Sequence, residues 1–177
     1  MQSLDVDSDL SLYPLDNSFA HALHGLVEKN RRYLRTWLPW LDANTSITDF
    51  EAFTEHTMET NQSGKSFVQA IVTNEKLCGV CGFNFIDQTN RWGEIGYWLS
   101  ESHQGRGIIS RSVAAQVEFG FAQLNLHRVS ICAATENRRS RAIPERLGFK
   151  REGILRQSEW LYDRYVDQAV YARLSTD

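Results

Sequence analysis

The sequence predicts a mixed α/β domain whose mostly antiparallel central sheet is flanked by helices, and three observations predict it. Three strand-like runs, 66–73, 77–86 and 92–99, are joined only by the short polar turns Asn74-Glu75 and Asp87-Gln88-Thr89-Asn90, the pattern of an antiparallel meander. Segments of helical period stand before and after that meander. One of them connects the last run to a further apolar strand, which makes a single parallel crossover. No repeat, linker or low-complexity segment divides the 177 residues, so 1–177 reads as a single domain with its core at about 10–174.

The elements follow in order. Residues 10–15 alternate and end near Pro14, which reads as a short first strand at a sheet edge. Residues 19–41 carry Leu23, Leu26, Val27, Leu34 and Leu38 on one side of a helix that Pro39 breaks into two pieces. Ile47–Gln62 reads as a second helix with Thr48 as its cap. After the meander, Ile109, Val113, Val117, Phe121 and Leu124 form an apolar stripe for packing on the sheet. Arg128–Ala134 is a buried strand, a short helix runs to Leu147, and 149–157 and 166–174 are the closing strands.

A formal net charge of −3 argues against a nucleic-acid partner, which calls for a basic excess. Arg138, Arg139 and Arg141, and likewise Lys150 and Arg151, read as a solvated rim. No apolar run approaches the ~20 residues of a membrane span, so no membrane partner is expected. The opening Met-Gln-Ser-Leu-Asp-Val-Asp lacks the charged and apolar regions of a signal peptide. Three cysteines, odd and sparse, do not make a disulfide framework. These features together predict a cytoplasmic protein. Cys78 and Cys81 lie on a predicted strand, where residues three apart point to opposite faces. With no further pair to complete a ligand set, and His21 and His24 without partners, no metal is expected.

The segment from Gly93 to Gly107 is the most informative. A strand runs into a glycine-punctuated turn, Gln104-Gly105-Arg106-Gly107, that opens a long helix at Ile108, Ile109 and Ser110. Helix starts offer unpaired N–H groups and the positive end of the dipole, and glycines admit a ligand's phosphates to the main chain. An ordinary strand–loop–helix junction would use glycines too.

Thirty residues further on stand Asn137-Arg-Arg-Ser140 and Glu145-Arg-Leu-Gly-Phe149. With these two motifs in this order, the chain resembles the GNAT family of N-acetyltransferases from about residue 10 to 174. That family binds the pyrophosphate of acetyl-coenzyme A on an Arg/Gln-x-x-Gly-x-Gly/Ala loop, whose last position here is Ile109. Within the family, Glu94-Ile-Gly-Tyr-Trp-Leu99, the loop, Gln157-Ser-Glu159-Trp-Leu and Val170-Tyr-Ala-Arg173 are similar to the ribosomal-protein serine/alanine N-terminal acetyltransferases. The resemblance implies a mixed sheet of the GNAT fold and acetyl-coenzyme A as co-substrate. It implies cofactor contacts from Trp98, Leu99, Gln104, Gly105, Arg106, Gly107, Ile108, Ile109, Ser110, Asn137 and Ser140. It further implies Ser140 as the proton donor to the departing thiolate and Glu159 as the general base. The acceptor is expected to be a protein N-terminus, with a small amine (an antibiotic, an aminoacyl conjugate or a polyamine) as the alternative. A non-catalytic module that binds acetyl-coenzyme A is the rival from another class. A homodimer is common in the family, and the sequence leaves the oligomeric state open.

The chemistry has matching needs. Acyl transfer from a thioester requires a neutral amine, donors for the oxyanion and a proton for sulfur. A carboxylate such as Glu159 suits the first. Main-chain N–H groups near Tyr97 to Leu99, where the strand leaves its neighbour, suit the second. Plainer readings stand beside these: Ser140 as a helix N-cap beside Pro144, and Glu159 as a solvated strand residue. Tyr162 and Tyr165 are reserve bases. Trp37, Trp40, Tyr97 and Trp98 fit either core or cleft, Trp37, Trp40 and Trp160 offer surfaces for stacking an aromatic or nucleoside-like substrate, and 34–47 and 87–90 are the segments expected to select the acceptor.

Overall fold

Residues 3–177 are described in the computed structural model, so Met1 and Gln2, which open the segment read as lacking a signal peptide, lie outside the described residues. The first half contains β1 (Leu4–Asp7), β2 (Leu10–Pro14), α1 (Ala20–Leu34), α2 (Ile47–Gln62), β3 (Phe67–Thr73) and β4 (Lys76–Asp87). The second half contains β5 (Trp92–Leu99), α3 (Ile108–Ala122), β6 (Arg128–Ala134), α4 (Arg138–Arg146), β7 (Lys150–Leu161) and β8 (Arg164–Leu174). All eight strands share one sheet in the order β1-β2-β3-β4-β5-β6-β8-β7. Only β5 and β6 run parallel, and α3 is the crossover between them. The predicted architecture, a mixed and mostly antiparallel sheet flanked by helices, is the one found.

Two apolar layers hold it together. Leu23 and Val27 of α1 and Phe50 of α2 pack with Val68, Ala70 and Val80 on one face. Val113 and Val117 of α3 pack with Ile71, Phe83, Ile95 and Ile131 on the other, joined by Ile143 and Leu147 of the α4 segment. Burying each such side chain contributes about 1.5–3 kcal/mol, and this burial outweighs the weak local propensities.

Four local readings need correction. The edge strand is β1, not the run at residue 10, because β2 pairs with β1 on one side and β3 on the other. Only Leu4 and Val6 are apolar in β1, and no glycine marks its turn, so no pattern announces it. Ser46, not Thr48, caps α2. Asp49 N–H donates to Ser46 Oγ (3.3 Å) and Ser46 N–H donates back to the Asp49 carboxylate (2.8 Å), a reciprocal capping box. The closing hairpin is longer than expected, reaching Leu161 and restarting at Arg164 around Tyr162, which has φ +60°.

Cys78 and Cys81, expected on opposite faces, both pack in the α3-side layer. Gly79 pairs with Ile71 but Leu77 with Val72, so Cys78 is the extra residue of a bulge that inverts the alternation. Cys78 Sγ–H donates to the Ile71 carbonyl at 3.3 Å, and burial pushes its pKa up to about 12. Burial raises Cys81 as well. The thiols are kept inert by desolvation, not by pointing apart.

The feature that positions the site is an opening in the sheet. Pairing between β5 and β6 covers only Trp92–Glu94 against Arg128–Ser130. Beyond it β5 stays with β4 as far as Leu99, while β6 stays with β8 as far as Ala134. The two strands therefore part like a V above Glu94.

Candidate active site

At the end of β5 the chain turns through Gln104 to Gly107 into α3. Gly105 and Gly107 have φ +73° and +70°, a conformation that L side chains rarely adopt, and open space lies where their Cβ atoms would be. Gly107 occupies the cap position of α3 and brings no side-chain oxygen. Among the described residues, no acceptor meets the main-chain N–H groups of residues 105–110. Arg106 is exposed beside them, and Arg146 of α4 donates to Ser110 Oγ at 2.9 Å. Gln104 is anchored rather than free: its amide donates to the Tyr33 hydroxyl and accepts from Arg139 at 2.7 Å. Arg139 thus braces the loop. A run of six unpaired N–H groups at the positive end of a 15-residue helix, with cations around it, fits a diphosphate.

The phase of the β4–β5 ladder decides which amides of β5 face the opening. Ser100 N–H donates to the Cys78 carbonyl at 2.8 Å, so Leu99 and Gly79 form a non-hydrogen-bonded pair. By alternation Gly96 and Trp98 bond to β4, and the N–H groups of Tyr97 and Leu99 point into the V. Two inward main-chain donors of this kind are able to stabilise an oxyanion.

Ser140 lies on the other wall. Its own N–H donates to Asn137 Oδ1 at 3.1 Å, so Asn137 is the N-cap of α4 and the Ser140 hydroxyl is left for other work. Pro144 lies inside α4 and cannot donate to the Ser140 carbonyl four residues back. Tyr97 supplies the missing donor: its O–H bonds that carbonyl at 2.9 Å and accepts from Ser140 Oγ at 3.3 Å. Burial holds the Tyr97 phenol well above its ordinary pKa, so it remains a donor.

Ser140 and Glu159 line one cavity of about 560 Å³ that fills the V, together with Tyr97 and Trp98 of β5. The size is that of a small-molecule site. Gln168 of β8 donates to Glu159 Oε2 at 2.9 Å. Glu94 faces the same space and accepts from Cys132 Sγ–H at 3.5 Å. Burial first, and then the Glu94 carboxylate, push the Cys132 thiol up to about 12. Trp37 and Trp40 form part of the opposite wall, and Trp40 lies 6.4 Å from Trp98, ring to ring.

Not every nominated residue arrives. Trp160 is exposed and packs edge-on to Tyr165 (4.8 Å), and neither lines the cavity. Tyr162 donates to the Leu38 carbonyl and carries Arg35 over its ring at 3.9 Å, which docks the hairpin tip on the segment between α1 and α2. Sequence reasoning missed Glu94, Gln168 and Asn84, all in the cavity wall. Glu94 left no sequence signal as a wall residue, because what puts it there is the end of β5–β6 pairing. Asn84 is invisible to periodicity because it is the extra residue of a bulge between Phe83 and Phe85, where its amide covers Gly96 so closely that a Cβ there would meet it at 2.1 Å. Among the described residues, no group of three or more His, Cys, Asp or Glu is arranged to hold a metal ion, and no helix is long and apolar enough to cross a membrane.

Known proteins resemble this chain in sequence and fold. The acetyltransferase (GNAT) domain signature matches residues 9–150. A ribosomal-protein-serine acetyltransferase of Escherichia coli is 34% identical over 173 residues, covering 98% of this chain and 97% of that protein. A ribosomal alpha-N-protein acetyltransferase (RimL), solved with coenzyme A held in a disulfide to a cysteine, superposes with a TM-score of 0.95 at 33% identity over 98% of each chain. A microcin self-immunity acetyltransferase (MccE), solved with acetyl-coenzyme A and AMP, superposes at 0.90 with 30% identity over 96% of this chain and 94% of that one. Sequence and fold agree: the chain belongs to the GNAT family and is an N-acetyltransferase.

Proposed function

We propose that this enzyme transfers acetyl from acetyl-coenzyme A to a protein's N-terminal α-amine, that of a ribosomal protein. The observation that carries the reading is the V itself, where Tyr97, Ser140 and the carboxylates Glu94 and Glu159 line one cavity, with the uncapped α3 N-terminus reached from the end of β5. Bound acetyl-coenzyme A supplies a thioester carbonyl and a thiol of ordinary acidity as leaving group. Residues 105–110 receive the pyrophosphate on their N–H groups. The Tyr97 and Leu99 amides meet the carbonyl oxygen as it gains charge. Glu159, held by Gln168, takes the proton that the amine must lose and releases it to solvent, while Ser140 Oγ gives its proton to the departing thiolate and regains one from solvent. An α-amine, with pKa about 7.7–8.0 against 10.4 for lysine, is already about a tenth neutral at pH 7, so a modest base suffices. Two carboxylates in the cavity also favour an acceptor that arrives as a cation.

The similarity to the serine acetyltransferase over nearly the whole chain supports a ribosomal acceptor. A small-amine acceptor is the second reading, favoured by the likeness to the microcin self-immunity enzyme and by Trp37 and Trp40 in the wall, on which a flat ring would stack. A screen of N-terminal peptides, ribosomal proteins and small amines with coenzyme A release as readout separates them. Turnover confined to small amines rejects the N-terminal reading, and cofactor binding without turnover on any amine rejects both.

A further inference from the structure

The β7–β8 ladder breaks register twice, by one residue at Glu152 between Arg151 and Gly153 and again between Leu155 and Glu159, and the second break concerns the site. Leu155 stands opposite Gln168, and Glu159 stands opposite Val166. Between those pairs β7 has Arg156, Gln157 and Ser158, while β8 has Asp167 alone. A ladder continuing regularly from Leu155 would set Gln157 opposite Val166, because antiparallel partners advance one for one. Two surplus residues leave the face unchanged and move the chain along by two. The bulge therefore delivers Glu159 to the place that Gln157 would otherwise hold, on the face of Gln168 and into the cavity.

Something must hold this bulge, since Gln157 has φ +50°, uncommon for a residue with a side chain. Gln157 N–H donates to Asp167 Oδ1 at 2.8 Å, and Ser158 Oγ donates to the Leu155 carbonyl at 3.3 Å. The Asp167 backbone is engaged separately, its carbonyl accepting from Thr135 N–H at 2.9 Å where β6 leaves for α4. The bond to Gln157 can therefore be removed without touching strand pairing or the arm that carries Ser140.

We propose that Asp167 is a positioning residue: its carboxylate clamps the β7 bulge and thereby sets Glu159, rather than Gln157, in the acceptor cavity. The proposal rests on the reading of Glu159 as general base. Glu94, Cys132 and Tyr97 are the titratable groups that line the cavity with Glu159, and the Asp167 carboxylate bonds to Gln157 rather than to any of them.

The test uses the full chain, acetyl-coenzyme A and a peptide with a free N-terminal serine. Asp167→Ala should lower kcat near pH 7 by roughly tenfold to a hundredfold, the scale expected of a misplaced catalytic group, and leave the KM for acetyl-coenzyme A unchanged. Part of the loss should return as pH rises and the amine deprotonates in solution. Asp167→Asn, which keeps an oxygen for Gln157 N–H, should retain most of the rate. In a Glu159→Gln background, Asp167→Ala should have no further effect. An equal additional loss there overturns the proposal, because Asp167 would then act elsewhere. If Glu159→Gln alone runs at the parental rate, the base reading fails. The positioning claim is then decided by the crystal structure of Asp167→Ala, where Glu159 displaced from Gln168 supports it and an unmoved bulge overturns it. Asp167→Ser serves in the same comparisons if the alanine variant does not fold.

Discussion

The α3 N-terminus, reached from the end of β5, and the cavity in the V are built in opposite ways. The first is seven consecutive residues, 104–110, and presents main chain. The second takes Glu94 from β5, Cys132 from β6, Ser140 from α4, Glu159 from β7 and Gln168 from β8, and presents side chains. A contiguous backbone site survives most substitutions that respect its glycines. A site assembled from five elements depends on how each one registers with its neighbours, so it is the part that changes of acceptor can act upon.

Substitutions at the two ends should therefore fail differently, and the largest effect belongs to the assembled end. Glu159→Gln should lose about 10²–10⁴ in kcat near neutral pH, with partial recovery at higher pH, whereas Ser140→Ala should lose near the low end with little recovery. Rates measured from pH 6 to 10 on both variants check this. Parental kcat in Glu159→Gln at every pH would move the base to Glu94.

At the contiguous end, Gly107→Val forces a β-branched residue to φ +70° and fills the space the phosphates need, so acetyl-coenzyme A affinity should fall by about tenfold or more. Calorimetric binding of acetyl-coenzyme A reads it, and unchanged affinity would show that the cradle lies elsewhere. kcat at saturating cofactor should suffer far less, the reverse of Glu159→Gln.

Tyr97→Phe strips the Ser140 carbonyl of the donor that replaces Pro144, and a buried acceptor so orphaned costs about 1–3 kcal/mol. Thermal unfolding should show a lower Tm. Restoring an N–H with Pro144→Ala in the same chain should recover part of it, and failure to recover would mean that the loss comes from packing alone.

The smallest effect lies outside both ends. Ser46→Ala removes one arm of the α2 capping box and should cost about 1 kcal/mol, some 2–4 °C in Tm, with kcat unchanged. Hydrogen bonds from Ser46, then Thr45, hold the Asp49 carboxyl below its ordinary pKa. A depressed carboxyl stabilises the fold fully above the unfolded value of about 3.9, and that contribution is lost as pH falls through the lowered one. The parent and Ser46→Ala should both lose Tm in strong acid, and the gap between them should narrow by the Ser46 Oγ–Asp49 carboxylate bond but persist, because the Asp49 N–H to Ser46 Oγ bond does not titrate.

The legible parts of the chain share a cause. The meander 66–99 shows alternation, two turns and no ambiguity of face, and the glycine loop announces itself because positive φ restricts the choice of residue. β1, with two apolar residues and no turn signal, and the hairpin tip, turned by Tyr162 at φ +60° where a glycine or asparagine would have been readable, left no comparable mark. The two-face reading of Cys78 and Cys81 failed for the same reason that Asn84 went unseen, since a bulge changes which way a residue points without changing the residues.

By itself the sequence determined the meander and the helices around it, the single crossover, the positive-φ glycines of the loop at Gly105 and Gly107, and the family motifs, because each is local and written in residue type or period. Only the tertiary structure decided which side chains meet in the V. The early end of β5–β6 pairing, the phase that turns the Tyr97 and Leu99 amides inward, and the bulges that aim Asn84 and Glu159 are properties of strand against strand. Register is an energy shared between segments far apart in the chain, and no stretch of either one carries it alone.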